Sequence, residues 1–211
     1  MSIRNLDRMY APRSVALIGA SKRPGSVGNV LLANLLGARL NGPVWAVNPK
    51  GGEIFGQRVF ADVGSLPEAP DLAVIATPPQ GVPQLIDELG RRGTKAAVVI
   101  TAGFGELGET GRKLQADMLA AARPHLLRIA GPNCLGIMAP GNGLNASFGH
   151  VQPEKGHVAF VSQSGAVVTA VLDWATSRGI GFSHIASLGG MSDVDFGDML
   201  DYLGADSHTR A

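Results

Sequence analysis

Cysteine is all but missing from this chain. Cys134 stands alone in 211 residues, which excludes an internal disulfide framework and fits a reducing compartment. Long apolar runs are missing too: none approaches the roughly 18 residues of a membrane helix. The N-terminus, MSIRNLDRMYAPRS, has no apolar core of signal-peptide length. Neither charge sign dominates. Eighteen basic and 17 acidic residues leave a net charge of +1, so there is no electrostatic footprint for nucleic acid or an anionic membrane. The five histidines, His125, His150, His157, His184 and His208, lack metal-like spacing, and no metal site is expected. The run Asp193, Asp195, Asp198 and Asp201 suits a helix start and a solvated face. These absences point to a soluble, cytoplasmic protein.

Apolar residues make up 45% of the chain and charged residues only 17%, which argues against extended disorder. The 29 glycines follow no collagen-like period; they cluster after apolar runs, where turns and ligand approach need them. Short β-branched runs alternate with amphipathic segments, the pattern of an α/β fold with a parallel sheet covered on both faces. The predicted strands are SVALIGA (14–20), VWAVNP (44–49), LAVIAT (72–77), AAVVITAG (96–103) and LLRIAGPN (126–133). Helices are predicted at VGNVLLANLLGARL, GVPQLIDELGRRG and ETGRKLQADMLAAAR, and a turn-rich stretch runs to Pro70. The spacing predicts a first domain over 1–135 and a Gly/Asn/Pro-rich linker over 136–156. A second α/β domain occupies 157–211. Two strands and two helices there leave an open sheet edge and an unfinished core, so the sequence is expected to be the N-terminal part of a longer protein.

Strand one runs into GASKRPGSVGN. Gly19 permits a sharp turn, and Gly25 and Gly28 permit close ligand approach. The amides of Ser26, Val27 and Gly28 open a helix that can take phosphate. The spacing is not G-x-G-x-x-G, because Ser21 holds the second glycine position and extra residues, Lys22 among them, separate it from Gly25; no Gly-Lys-Ser/Thr marks a P-loop. Strand two ends in Asn48, Pro49 and Lys50, whereas a nicotinamide-binding unit ends it in a carboxylate. A cation there favours a ligand with a second phosphate; plain NAD is disfavoured, and NADP remains possible. Thr77 and Pro78 after strand three, and Ile100, Thr101 and Ala102 after strand four, let a nucleotide lie across the sheet edge. GPNCLG offers amides and the Asn133 side chain; SQSGA, with Ser162, Ser164 and Gly165, offers a second anion-binding helix start. SQSGA lacks the G-x-S-x-G of a hydrolase elbow. Cys134 reads as a small buried residue, since no histidine neighbours it.

In order, GASKRPGSVG, NPKGGEIFG, ATPP, ITAGFGE, GPNCLGI, VSQSGAV and SLGGMSDVDFGDMLDYL resemble the N-terminal part of the NDP-forming acyl-CoA synthetase superfamily. The text is similar to large bacterial members, some fused to a GNAT protein acetyltransferase domain. The resemblance implies a Rossmann-like CoA-binding domain followed by an incomplete flavodoxin-like α/β domain. It implies CoA or acetyl-CoA as ligand: Gly19, Ser21, Lys22, Gly25, Ser26, Val27 and Gly28 at its phosphates, Lys50 beside them, and Thr77, Pro78 and Ile100–Ala102 along the nucleotide. Asn133, Ser162, Ser164 and Gly165 would face an acyl phosphate or phosphohistidine. It further implies a downstream ATP-grasp domain or subunit that handles ATP, ADP and Mg, and a homo-oligomeric assembly. The family's phosphorylated histidine lies beyond this chain's reach, and neither His184 nor His208 matches its motif. The chain is therefore expected to bind CoA without turnover. Two other readings stay open: an acetyl-CoA-sensing region of a GNAT acetyltransferase, and an NADP-dependent oxidoreductase, against which the glycine spacing counts.

Overall fold

The computed structural model describes residues 2–211. After a short helix α1 (Leu6–Tyr10), the chain alternates β1 (Val15–Ile18), α2 (Val27–Gly37) and β2 (Val44–Val47). A hairpin of β3 (Gly52–Ile54) and β4 (Gln57–Phe60) follows, then β5 (Leu72–Ile75), α3 (Val82–Arg92), β6 (Ala96–Val99), α4 (Glu109–Ala122) and β7 (Arg128–Ala130). These strands form a seven-stranded sheet in the order β3-β4-β2-β1-β5-β6-β7, parallel except for β3.

The central strands are buried on both faces, which is why they read as unbroken apolar runs. Successive side chains still divide cleanly, as pleating requires. Val15, Leu17, Leu72 and Val74 enter one core; Ala16, Ile18, Ala73 and Ile75 enter another, beneath α3 and α4.

The turn-rich stretch before Pro70 contains the β3–β4 hairpin. Its two-residue loop, Phe55-Gly56, has φ of 51° and 74°, the positive pair of a type I′ turn. A bulky Phe at such a position does not announce a turn, so the hairpin was not legible. The expected linker over 136–156 is also corrected. Its residues build β8 (Gly136–Ala139) and β9 (Leu144–Ser147), an antiparallel pair around the Pro140–Asn142 turn. With β10 (Lys155–Ser162) and β11 (Phe182–Ser187) they form a second sheet ordered β10-β11-β8-β9. Gly, Asn and Pro flank two four-residue strands there and mask the alternation of Ile137 and Ala139 against Met138.

Helix α5 (Gly165–Thr176) packs on the outer face of this sheet through Val168, Leu172 and Ala175. The inner face, with Ile137, Ala146 and Ala186, shares one continuous core with α1, α2, the first sheet and α6 (Phe196–Gly204). The edge strand β10 is met by the chain's last residues: the Ala159 amide donates to the Ala211 carbonyl at 2.7 Å.

Candidate functional site

The chain leaves β1 for β2 on one side and returns with β5 on the other. Order reverses there, and open α/β sheets leave a crevice at such a point, beyond the carboxyl ends of the strands. Three observations shape that crevice. Gly19, at φ +100°, turns the chain where a side chain would strike the Ala76 carbonyl. A Cβ on Gly28 would lie 1.9 Å from the Gly19 carbonyl oxygen, so glycine lets α2 begin directly on the turn. Ser26, at the N-cap, makes no side-chain bond into α2; its hydroxyl donates to the Arg23 carbonyl at 2.7 Å. The Val27 and Gly28 amides are therefore left for an acceptor from outside the helix, while the Asn29 amide already donates to the Ser26 carbonyl at 2.9 Å.

Asn48 locks the two loops together. Its Nδ2 donates to the Ala20 carbonyl at 2.8 Å, and its Oδ1 accepts the Lys50 amide at 2.9 Å. The side chain that stands in for the nicotinamide-type carboxylate is thus a structural tie.

The crevice encloses about 790 Å3, and Gly19, Ser21, Ser26, Val27 and Gly28 form one wall. Asn48, Pro49, Thr77 and Pro78 line it further on. Arg23 also lines it, as do Asp62 and Glu88, none of which the sequence reading singled out. Arg23 sits inside the quoted glycine-rich stretch and was legible; Asp62 and Glu88 follow β4 and lie on α3, and carry no motif. Lys22, Gly25 and Lys50 fall outside the lining. Lys22 lies over the turn after β2, its Nζ 3.1 Å from where Gly52 would place a Cβ. Lys50 is exposed in that same turn. No side-chain ion pair engages Lys22, Arg23 or Lys50 among the described residues.

A second hollow of about 640 Å3 continues the first, the two sharing Val27, Ala76 and Thr77. Ile100, Thr101, Ala102, Asn133 and Gly165 line it, together with Leu135, Phe148 and Thr169. Leu135 is the last residue of the expected first domain; Phe148 fell in the expected linker and so carried no signal. Its walls are tied where the strands of the first sheet end: Thr101 Oγ1 donates to the Thr77 carbonyl at 2.7 Å, and the Asn133 amide to the Thr101 carbonyl at 3.0 Å. The Leu135 amide donates to Ser187 Oγ at 3.0 Å. The loop after β6 is held by Glu106, whose carboxylate accepts the Gly103 and Phe104 amides at 2.6 and 3.2 Å. Burial alone would raise that carboxyl's pKa, but the amides lower it overall. Ser162 and Ser164 lie outside the lining and shape the turn into α5. Ser164 Oγ accepts the Val167 amide at 3.4 Å, and its own amide donates to Ser162 Oγ at 3.1 Å.

Cys134 also lines the hollow, yet it is 5% exposed and burial pushes its thiol up to about 12. A thiol so protonated is no nucleophile. No histidine lines either hollow, and no group of three or more metal-type ligands occurs among the described residues. The arrangement suits binding: an elongated ligand, anionic where the cations and α2 amides stand and less polar beyond.

The family profile for a CoA binding domain matches residues 13–140. The chain belongs to the CoA-binding domain family. The profile of the succinyl-CoA ligase-like flavodoxin domain matches residues 155–211. Over 97% of its length the chain is 44% identical to the ADP-forming acetate–CoA ligase I of Archaeoglobus fulgidus, covering 30% of that protein. Over 98% it is 39% identical to the alpha subunit of the ADP-forming acetate–CoA ligase I of Pyrococcus furiosus, covering 46%. The acetyl-coenzyme A synthetase 1 of Ca. Korarchaeum cryptofilum, solved with phosphate and ADP, superposes with a TM-score of 0.92 at 38% identity over 97% of this chain and 44% of that one. The chain thus spans less than half the length of these relatives. Their kinship favours the ligase expectation over the acetyltransferase one, and no helix among the described residues is long and apolar enough to cross a membrane.

Proposed function

We propose that the continuous groove binds CoA or acyl-CoA, and that the chain is the N-terminal part of an ADP-forming acyl-CoA synthetase. The observation that carries this reading is the meeting of uncapped α2 amides with Arg23 in the lining of the 790 Å3 crevice, with Lys22 over the neighbouring turn after β2 and Lys50 exposed in it. Amides at a helix start favour an anion by about 0.3–1 kcal/mol, and cations without acidic partners add to that. In this reading the diphosphate lies at Ser26–Gly28 and the 3′-phosphate near Lys50. Asp62 and Glu88 accept hydrogen bonds from the ribose or adenine amino group. The pantetheine arm follows Val27, Thr77 and Pro78 into the second hollow, where Ile100, Thr101 and Ala102 flank it.

The thiol end then reaches the start of α5, where the Gly165 amide, Asn133, Ser162 and Ser164 suit an acyl phosphate or phosphohistidine. The whole protein would interconvert acid, CoA and ATP with acyl-CoA, ADP and phosphate, as the names of its relatives suggest. ATP, ADP and Mg, and an ATP-grasp domain or subunit, belong in this proposal to regions beyond residue 211. Residues 1–135 would hold most of the CoA contacts, and the two-sheet core makes 136–211 the other wall.

A thermal-shift comparison tests the ligand. CoA at 100 times its dissociation constant adds about 2.7 kcal/mol, and each kcal/mol moves the midpoint by roughly 2–4 °C at this size. CoA and acetyl-CoA are expected to raise the midpoint while NAD and NADP leave it; a rise with NADP alone would overturn the reading. Lys50→Ala should weaken CoA more than dephospho-CoA, and equal losses would remove Lys50 from the 3′-phosphate.

A further inference from the structure

A polar cavity of about 240 Å3 lies at the other end of the second sheet from the groove. Strand β11 joins the two: His184 lines the cavity, and Ser187 holds Leu135 in the hollow, about 10 Å further on at roughly 3.3 Å per residue. Lys155 enters at the start of β10, Tyr202 comes from α6, and Asp206 and His208 follow that helix.

His184 is 5% exposed, and its enclosed Nδ1 has no hydrogen-bond partner among the described residues. Asp206 Oδ2 stands 3.6 Å away, beyond hydrogen-bond reach. Buried polar groups left unpaired are rare and call for a partner. The ring is held edge-on by Tyr10 and Tyr202, at centroid distances of 5.3 and 5.8 Å. Asp206 is already engaged: it accepts Thr209 Oγ1 at 2.6 Å and faces His208 Nδ1 at 3.4 Å. Lys155, whose stem passes Gly141, has no ion pair among the described residues. Burial pushes the Tyr202 hydroxyl up to about 12, so it keeps its proton. Asn142 and Ser183 in this lining are already bonded, to the Tyr10 carbonyl and Thr209 Oγ1, and the one carboxylate is spent. No side-chain hydrogen bond among the described residues engages Lys155 or the Tyr202 hydroxyl.

We infer that this cavity is a binding site for a small oxyanion of the phosphate or carboxylate class, held by Lys155, the Tyr202 hydroxyl and a ring N–H of His184. The volume falls below the roughly 300–1,000 Å3 of sites for drug-sized ligands, so a nucleotide is excluded and an anion of a few heavy atoms fits. The inference does not depend on CoA binding in the groove.

The test is a titration of the 15N-imidazole-labelled chain with inorganic phosphate, and separately with malonate, at constant ionic strength near pH 6.5, about the ordinary histidine pKa. Reading the His184 ring separates this cavity from anions taken up at α2 or α5. The His184 resonances are expected to move saturably with a millimolar dissociation constant, on the order of 1 mM. Lys155→Met and Tyr202→Phe, with circular dichroism unchanged, should each weaken the response about tenfold, equivalent to 1.4 kcal/mol. Tighter phosphate names the phosphate class, and tighter malonate the carboxylate class. His184 resonances unmoved by either anion up to about ten times that constant, or a Lys155→Met chain that titrates like the original, would overturn the inference.

Discussion

Arg128 on β7 and Asp198 in the first turn of α6 meet at 2.6 Å with only 6% of either side chain exposed. The pair joins the first sheet to the helix between the sheets. Asp193 takes Arg128 Nε at 2.9 Å and the Ile129 amide at 2.7 Å, and the Ser2 amide donates to Asp198 at 2.6 Å. Burial alone would raise the Asp198 carboxyl's pKa, yet Ser2 and Arg128 bring it below its ordinary value.

Removing one member of such a pair leaves the other charge buried and alone. Arg128→Ala is expected to cost about 3–5 kcal/mol, read from urea unfolding at neutral pH. A loss under about 1 kcal/mol, the range of exposed pairs, would show that the network is solvated and does not hold the two sheets together.

Gly28 is predicted to resist substitution for a steric reason. Alanine would put its Cβ 1.9 Å from the Gly19 carbonyl oxygen, forcing α2 off the β1 turn at about 1–3 kcal/mol. The same shift displaces the amides offered to phosphate, so CoA affinity should fall with stability. Gly81→Ala is the control: it lines the crevice, yet a Cβ there meets nothing within 4 Å. Equal tolerance of both alanines would refute the packing argument.

Asn48→Asp supplies the carboxylate that a nicotinamide-binding unit places at this strand end. Here it would face the Ala20 carbonyl that Asn48 now donates to, losing one bond and opposing two acceptors. A destabilisation of about 1–3 kcal/mol is expected, with no NAD binding gained. Calorimetric titration with NAD checks the second half; heat from a saturable NAD site would mean that this residue does choose the ligand.

Much of this was legible in the sequence, for reasons that particular residues show. VALI, LAVI and AAVV are buried on both faces, so composition alone marked them as parallel strands. The glycine-rich turn after β1 located the crevice because Gly19 and Gly28 are demanded by backbone contacts. Residues 136–156 failed as a linker because β8 and β9 are four residues each and edged by Gly, Asn and Pro. With them went Phe148, a wall of the second hollow. Lys50 stands at the end of the predicted strand, but its place outside the lining is set by the Asn48–Gly51 turn, in which Asn48 accepts the Lys50 and Gly51 amides, bonds that strand propensity does not announce.

Stability should fall on acidification in two stages. Burial, with His208 nearby, holds the His184 pKa below its ordinary value, although Asp206 pulls it upward. The unfolded chain therefore takes the proton first, and this contribution, complete above about pH 6.5, is lost as pH falls from there to the folded value. Tyr10 and Tyr202 face the same ring and stay neutral throughout. Asp71, Asp198 and Asp206 have lowered values, so their contribution, present above about pH 4, disappears as pH drops below it. His184→Phe should flatten the first stage and spare the second. An unchanged slope between neutrality and the second stage would show that another group carries it.

Hydrogen exchange with and without CoA tests the central claim most directly, because the groove runs across both sheets. Saturating CoA should slow exchange at Val27 and Gly28 in the first turn of α2, and also at Gly165 and Ala166 in that of α5. NADP should slow neither. Slowing at α2 and α5 together would place one ligand along the whole groove; unchanged exchange at both, with CoA shown to be bound, would contradict the account.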